Sequence, residues 1–381
     1  MDKSKKNKII LLNDIGFSTP HGRIAWIKKM NYFAKNGYDI SIITNKNGKK
    51  YYKDKINAKK YYIIKKNNIP KTKIGYLYEV LIRNIIAGIN FRSINFDYIY
   101  SLATLDNLLF PFFVKIFNPK IKIFIQFDNI VPLNDPGNKI YRFLAWIFFK
   151  ISLLLLRRAD TIFAISPELK KYLIRHNFDP SKIIITGNAI EINLIKISKP
   201  QKIKYDGLFI GRINETKGIF DMLEVVNQVK KEIPNFKLAI MGEGDVSTKN
   251  KFKNKIKSLK LSKNIILLGT RNGLEKFSII KSSKIFIFLS KSESESFGIA
   301  LLEAVSCGLP AFVYDLPAYK NIYLNNEVNV FKKGDINSVS QAIIQTFKNK
   351  QFKNQNGQNL LGKYSWENIA SIEFKAFKLL F

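Results

Sequence analysis

Short runs of Ile, Leu, Val, Phe and Tyr alternate with longer amphipathic stretches along almost the whole chain. Apolar runs of about four to eight residues bounded by polar or glycine turns read as buried strands, and apolar positions three and four apart read as helices. Strands are therefore predicted at 8–12, 38–44, 61–64, 98–100, 121–125, 161–165 and 183–185, with a helix over 23–36 that Gly37 stops. Residues 46–60, polar and lysine-rich, read as a loop. The alternation pauses in the polar segment 195–204, which carries Pro200, and resumes with strands at 205–210, 236–241, 265–268, 285–289 and 311–313. Strands apolar on both faces imply parallel sheets covered by helices on each side. The pattern predicts an α/β protein with a first domain over 1–195, a linker at 196–204 and a second domain over 205–362. A last segment, 363–381, opens a helix for which Ser365 is the N-cap candidate.

The densest chemistry lies in Glu295-Ser296-Phe297-Gly298-Ile299-Ala300-Leu301-Leu302-Glu303-Ala304, where two glutamates bracket a Phe-Gly that opens a helix; Cys307-Gly308-Leu309-Pro310 then stops it. Glu295 falls in the loop after the 285–289 run, at the carboxyl end of a strand, where open α/β sheets bind ligands. A helix N-terminus there attracts phosphate through unpaired N–H groups and the helix dipole. Carboxylates nearby accept hydrogen bonds from sugar hydroxyls.

This segment resembles the signature of the retaining glycosyltransferases of family 4, which have the GT-B architecture of two Rossmann-like domains facing a cleft. The resemblance implies that Glu295 lies against the donor sugar, that Glu303 binds the ribose, and that the backbone around Phe297, Gly298 and Ile299 faces sugar and diphosphate. It also implies that the terminal helix crosses back to the first domain. Gly211-Arg212-Ile213-Asn214-Glu215-Thr216-Lys217-Gly218 resembles the family's phosphate-binding loop. There Arg212 and Lys217 would neutralise a departing diphosphate with neither metal nor cofactor. Gly242-Glu243-Gly244 resembles the Gly-x-Gly on the base side, and Arg271 borders the same region.

Two departures stand out. The loop Gly16-Phe17-Ser18-Thr19-Pro20-His21-Gly22 has His21 where the family has the first glycine of a pair, although Gly16 and Gly22 still permit close backbone approach. After the 121–125 strand the family commonly carries a histidine, whereas this chain reads Gln126-Phe127-Asp128-Asn129. Asp128 or Gln126 is expected to supply the missing hydrogen bond. His176 reads as a helix-end residue.

The resemblance implies a transferase moving a sugar from a nucleoside-diphosphate donor to a lipid-linked or glycan acceptor, in surface polysaccharide assembly. A catalytically silent GT-B partner subunit is the alternative that the two departures leave open.

Composition changes this picture in one respect. Lys and Arg number 63 against 29 Asp and Glu, a formal charge of +34, which suggests a polyanionic partner. The lysines are spread evenly with no arginine block, which argues against nucleic acid and leaves an anionic membrane surface. Residues 143–156, apolar nearly all round but interrupted by Lys150 and closed by Arg157-Arg158, fall short of the roughly twenty residues of a spanning helix. They suit either burial on the sheet or an interface. The single Cys307 excludes an internal disulfide framework, and the charged start with its short apolar run is unlike a secretory leader, so a cytoplasmic place is expected, at the inner face of the membrane.

Overall fold

The computed structural model describes residues 8–16, 23–64, 73–91, 94–133, 139–324 and 326–379. Two compact units emerge: one from the described residues up to 187 together with 366–379, the other from 188–365.

The first unit runs β1 (Lys8–Asp14), α1 (Ile24–Lys35), β2 (Tyr38–Asn45), α2 (Lys46–Tyr52), β3 (Ala58–Ile64), α3 (Lys73–Phe91), β4 (Tyr98–Leu102), α4 (Leu105–Phe117), β5 (Lys122–Phe127), α5 (Lys139–Leu156), β6 (Thr161–Ala164), α6 (Pro167–Arg175) and β7 (Ile183–Ile185). Its strands form one sheet in the order β3-β2-β1-β4-β5-β6-β7. Every neighbouring pair is parallel, as the doubly apolar strands require. The order reverses between β1 and β4, so right-handed crossovers place α1 and α2 on one face and α3, α4 and α5 on the other, where α4 packs on both neighbours.

The expected loop at 46–60 is corrected. Its first half is α2, because the Asn45 side chain accepts the Gly48 N–H and caps a helix whose Tyr52 is fully buried. Its end already belongs to β3. Lysine richness misled here: a short helix needs only its cap and one buried face.

The second unit comprises α7 (Ile192–Ile197), β8 (Tyr205–Ile210), α8 (Ile219–Glu232), β9 (Leu238–Met241), α9 (Val246–Ser258), β10 (Ile265–Gly269), α10 (Gly273–Lys281), β11 (Ser283–Phe288), α11 (Ile299–Ser306), β12 (Ala311–Tyr314), β13 (Asn329–Phe331), α12 (Ile336–Lys348) and α13 (Leu360–Lys363). Its sheet, again parallel, has the order β10-β9-β8-β11-β12-β13 and reverses between β8 and β11. Residues 192–198 lie in this unit: α7 packs on α10, and Lys281 Nζ donates to the Ile195 and Ser198 carbonyls.

The last helix, α14 (Trp366–Leu379), belongs to the first unit. Phe377 stacks on Phe124 at 3.8 Å between centroids and 8° between planes, within the core that α1 and the sheet share. Glu373, wholly buried, accepts from Lys29 Nζ of α1 (2.5 Å) and from the Tyr100 hydroxyl (2.8 Å).

Candidate active site

The reversal between β8 and β11 puts the loops leaving these two strands side by side at the carboxyl edge of the second sheet. In the first loop, Asn214 Oδ1 accepts the Thr216 N–H at 2.8 Å and folds 215–217 into one 3-10 turn that presents Lys217. The second loop is tied to it: the Lys291 N–H donates to the Thr216 carbonyl at 2.8 Å. Lys217 Nζ then lies 2.5 Å from Glu295 Oε2 and 5.5 Å above the Phe288 ring. Both side chains are mostly shielded, at 18% and 11% exposure, so their attraction is screened less than that of a surface pair. Arg212 is exposed at the start of the first loop.

Two further loops, after β9 and β10, complete this edge. The Gly211 N–H donates to the Met241 carbonyl, Ile213 N–H to Glu243, and Gly242 N–H to Gly269, linking the loops after β8, β9 and β10. Gly242 adopts φ +151°, and a Cβ there would fall 1.9 Å from the Gly211 carbonyl oxygen, so only glycine permits this approach. Gly244 packs against Ile213 in the same way. Arg271, by contrast, is half-buried and paired with Glu275 at 3.0 Å.

Gly298, at φ +74°, is the N-cap of α11 and turns the Glu295 loop into the helix. Ile299 is exposed at its first turn, and the amides there have no intrahelical partner. The Phe297 ring is buried edge-on to Tyr364 at 5.3 Å and anchors the turn that holds the backbone at 297–299. The Tyr323 hydroxyl reaches the Phe297 and Gly298 carbonyls. Glu303, in the second turn of α11, is buried and 2.5 Å from Lys276 Nζ of α10. Burial pushes its carboxyl above the usual range, and the Lys276 ammonium opposes this.

Lys276, Tyr319 and Tyr323 were not foreseen. Tyr319, nearly fully buried beside Gly298, has a hydroxyl with no hydrogen-bond partner among the described residues; burial first, then the charge of Glu295, holds its pKa well above normal. No local motif marks these positions, because each acts through a contact made across the fold.

In the first unit Gly16 follows β1, and its N–H donates to Asn107 Oδ1 at 3.1 Å. His21 and Gly22 lie outside the described residues. Asp128, just past β5, accepts from Gln126 Nε2 at 2.6 Å, while Gln126 Oε1 accepts from Lys29 Nζ at 2.8 Å and lies 3.0 Å from the Tyr100 hydroxyl, whose single proton is shared with Glu373. Burial raises the Asp128 carboxyl, against Gln126, Lys29 and Arg23. His176 caps the end of α6 and stacks on Tyr172 at 4.1 Å, as a helix-end residue does.

The family model described as glycosyl transferases group 1 matches residues 192–360, the span that holds the Lys217–Glu295 pair and both flanking loops. This region is similar to the glycosyl transferases group 1 family. Two curated relatives show the same likeness over about half of the chain. The uncharacterized glycosyltransferase MJ1059 of Methanocaldococcus jannaschii is 31% identical over 188 residues, which are 46% of this chain and 45% of that protein. The poly(glycerol-phosphate) alpha-glucosyltransferase of Bacillus subtilis is 31% identical over 182 residues, 46% of this chain and 26% of its own. The chain thus spans half or less of these relatives' lengths. Among solved structures, Anabaena Alr3699/HepE in complex with UDP and glucose superposes with a TM-score of 0.73 at 14% identity, covering 98% of this chain and 99% of that one. At that identity the likeness establishes the fold, the two-sheet α/β architecture of the GT-B class, over nearly the whole chain. The similarity to group 1 covers residues 192–360, the span of the second unit that holds the Lys217 and Glu295 loops.

Proposed function

We infer that this protein is a retaining group 1 glycosyltransferase, which takes a sugar from a nucleoside-diphosphate donor and attaches it to a lipid-linked or glycan acceptor in surface polysaccharide assembly, working at the inner face of a membrane. The observation that carries this reading is the Lys217–Glu295 contact at the reversal of the second sheet. A cation and a carboxylate held together there suit a ligand with an anionic end and a hydroxyl-rich end. The unpartnered Tyr319 hydroxyl adds a polar group beside the same turn.

In the proposed reaction the bond from the donor's anomeric carbon to the diphosphate oxygen breaks, and an acceptor hydroxyl oxygen bonds to that carbon from the same face. The departing phosphate oxygen takes the acceptor's proton, so configuration is retained without a protein nucleophile. Lys217 exchanges Glu295 for the developing phosphate charge, Arg212 supplies a second cation, and neither requires a metal. Glu295, released, accepts from sugar hydroxyls, and Glu303 from the ribose. Amides at Gly298 and Ile299 face the diphosphate. In the first unit Asp128, fixed by Gln126, accepts from the acceptor.

The test is a panel of nucleotide sugars screened for a rise in melting temperature, followed by donor turnover and the anomeric configuration of the product. A stabilising donor whose sugar is transferred with retention supports the reading. No stabilisation by any member, or an inverted product, overturns it.

A further inference from the structure

Large apolar side chains lie exposed on three adjacent helices of the first unit. Along α3, Tyr78, Leu81, Ile85 and Ile89 recur at helical spacing and are all exposed, whereas Val80, Asn84 and Ala87 face inward. Along α5 the same holds for Ile140, Phe143, Ile151 and Leu154. Between them, α4 ends on exposed Ile116 (73%) and Phe117 (54%). These ten make up nearly half of the 23 exposed large apolar residues described in the chain, although the three helices hold 50 of its 381 residues. An ordinary surface helix turns such a stripe inward. Here both flanking helices carry a second one outward, and contiguous exposed apolar surface of this kind marks an interaction site.

Charge identifies the occupant. The three helices and Arg157-Arg158 contain eight Lys or Arg and only two acidic residues, Glu79 and Asp106. Glu79 is paired with Arg83 four residues on, and Asp106 is part-buried. Residues 139–158 have no acid at all. Lys150 lies seven residues after Phe143, on the same helix face, with its ammonium 5.4 Å from the Trp146 ring centroid. Lys139 and Arg158 are exposed at the two ends of that helix. Apolar side chains flanked by cations and rings, with no competing carboxylate, fit a bilayer with anionic headgroups. No described helix is long and apolar enough to cross a membrane, so the contact is one of lying on the surface.

We propose that the outer face of α3, α4 and α5 is a membrane-docking platform that inserts its apolar stripes among the acyl chains of an anionic leaflet while Lys139, Lys150 and Arg158 bind headgroup phosphates. The proposal deepens the membrane part of the reading above by naming the surface that makes the contact, and its observations do not depend on the transfer chemistry.

The full chain is tested by flotation with phosphatidylcholine vesicles with and without phosphatidylglycerol, in low and high salt, with no donor present. The wild type floats with the anionic vesicles at low salt and much less with neutral ones. Ile85→Glu/Phe143→Glu reduces the bound fraction about tenfold while the circular dichroism melt is kept, since both side chains already face solvent. Lys139→Glu/Lys150→Glu abolishes the preference for anionic lipid. Absence of wild-type flotation, or flotation of either variant equal to wild type, overturns the proposal. So does light scattering that shows a dimer which Ile85→Glu/Phe143→Glu dissociates without any vesicle binding by the wild type, because the face is then a self-association surface. Loss of donor turnover alone leaves these readouts unmoved, so the two readings fail separately.

Discussion

Replacing Lys29 by Met tests how the terminal helix is held. Lys29 and Glu373 are 2.5 Å apart with side chains 3% and 0% exposed. At that separation and an effective dielectric of about 20 their attraction is about 7 kcal/mol. Desolvating two ions takes back several kcal/mol, so the intact pair contributes little net stability. Removing one partner is different: Lys29→Met strands a buried carboxylate whose remaining donor is the Tyr100 hydroxyl, and the expected loss is about 3–5 kcal/mol. Lys29→Met/Glu373→Leu removes both charges and leaves the Tyr100 hydroxyl bonded to Gln126 at 3.0 Å, so its loss is expected to be about 2 kcal/mol or less. Burial raises the Glu373 carboxyl even beside Lys29. In the single variant that group takes up a proton in acid, so the deficit shrinks at low pH and grows as pH rises. The assay is urea unfolding followed by tryptophan fluorescence, which reports the first unit because Trp26, Trp146 and Trp366 all lie there. Trp26 is a direct reporter, edge-on to Tyr100 at 5.3 Å. A loss below about 1 kcal/mol for Lys29→Met, or a double variant equal to the sum of the two singles, refutes the coupling.

Three other outcomes are expected. Glu295→Gln and Lys217→Ala each lower turnover on the identified donor by about a hundredfold, and the double variant loses far less than the product of the two, since the groups act as a pair; independent effects in steady-state kinetics count against the shared role. Burial pushes the Asp14 carboxyl up to about 6, against the pull of Arg23. Because the folded value is raised, its contribution to stability is complete below the ordinary 3.8 and is lost as pH rises through about 6; Asp14→Asn flattens that segment of a melting-temperature profile. Partial burial likewise raises the Cys307 thiol to about 12, so iodoacetamide at neutral pH labels it more slowly in the native protein than in urea, whereas equal rates contradict the raised value.

Most elements, the helix at 46–52 excepted, and the spacing of the chemistry were legible in the amino-acid sequence. Doubly apolar runs can be satisfied only in a sheet covered on both faces, which is why both parallel sheets were legible. The 295–304 segment was legible because a turn into a helix depends on residues adjacent in the chain. It also placed Lys217 and Glu295 in loops leaving strands. That those loops adjoin was decided by strand order, which brings β8 beside β11 and joins side chains 78 residues apart. The helix at 46–52 was hidden because its stability comes from the Asn45 cap and from burying Tyr52, whose hydroxyl donates to Asp14 at 2.7 Å, rather than from periodicity. Lys29 and Glu373, separated by 344 positions, carry no local mark of partnership. Nor do Lys276 and Glu303, or the Tyr319 hydroxyl. Such contacts depend on which faces the packed helices turn toward one another, and that is a property of the tertiary structure alone. The apolar rows of α3 and α5 lie between these cases: their spacing is in the sequence, but only the packed layer shows that a second row of each remains outside.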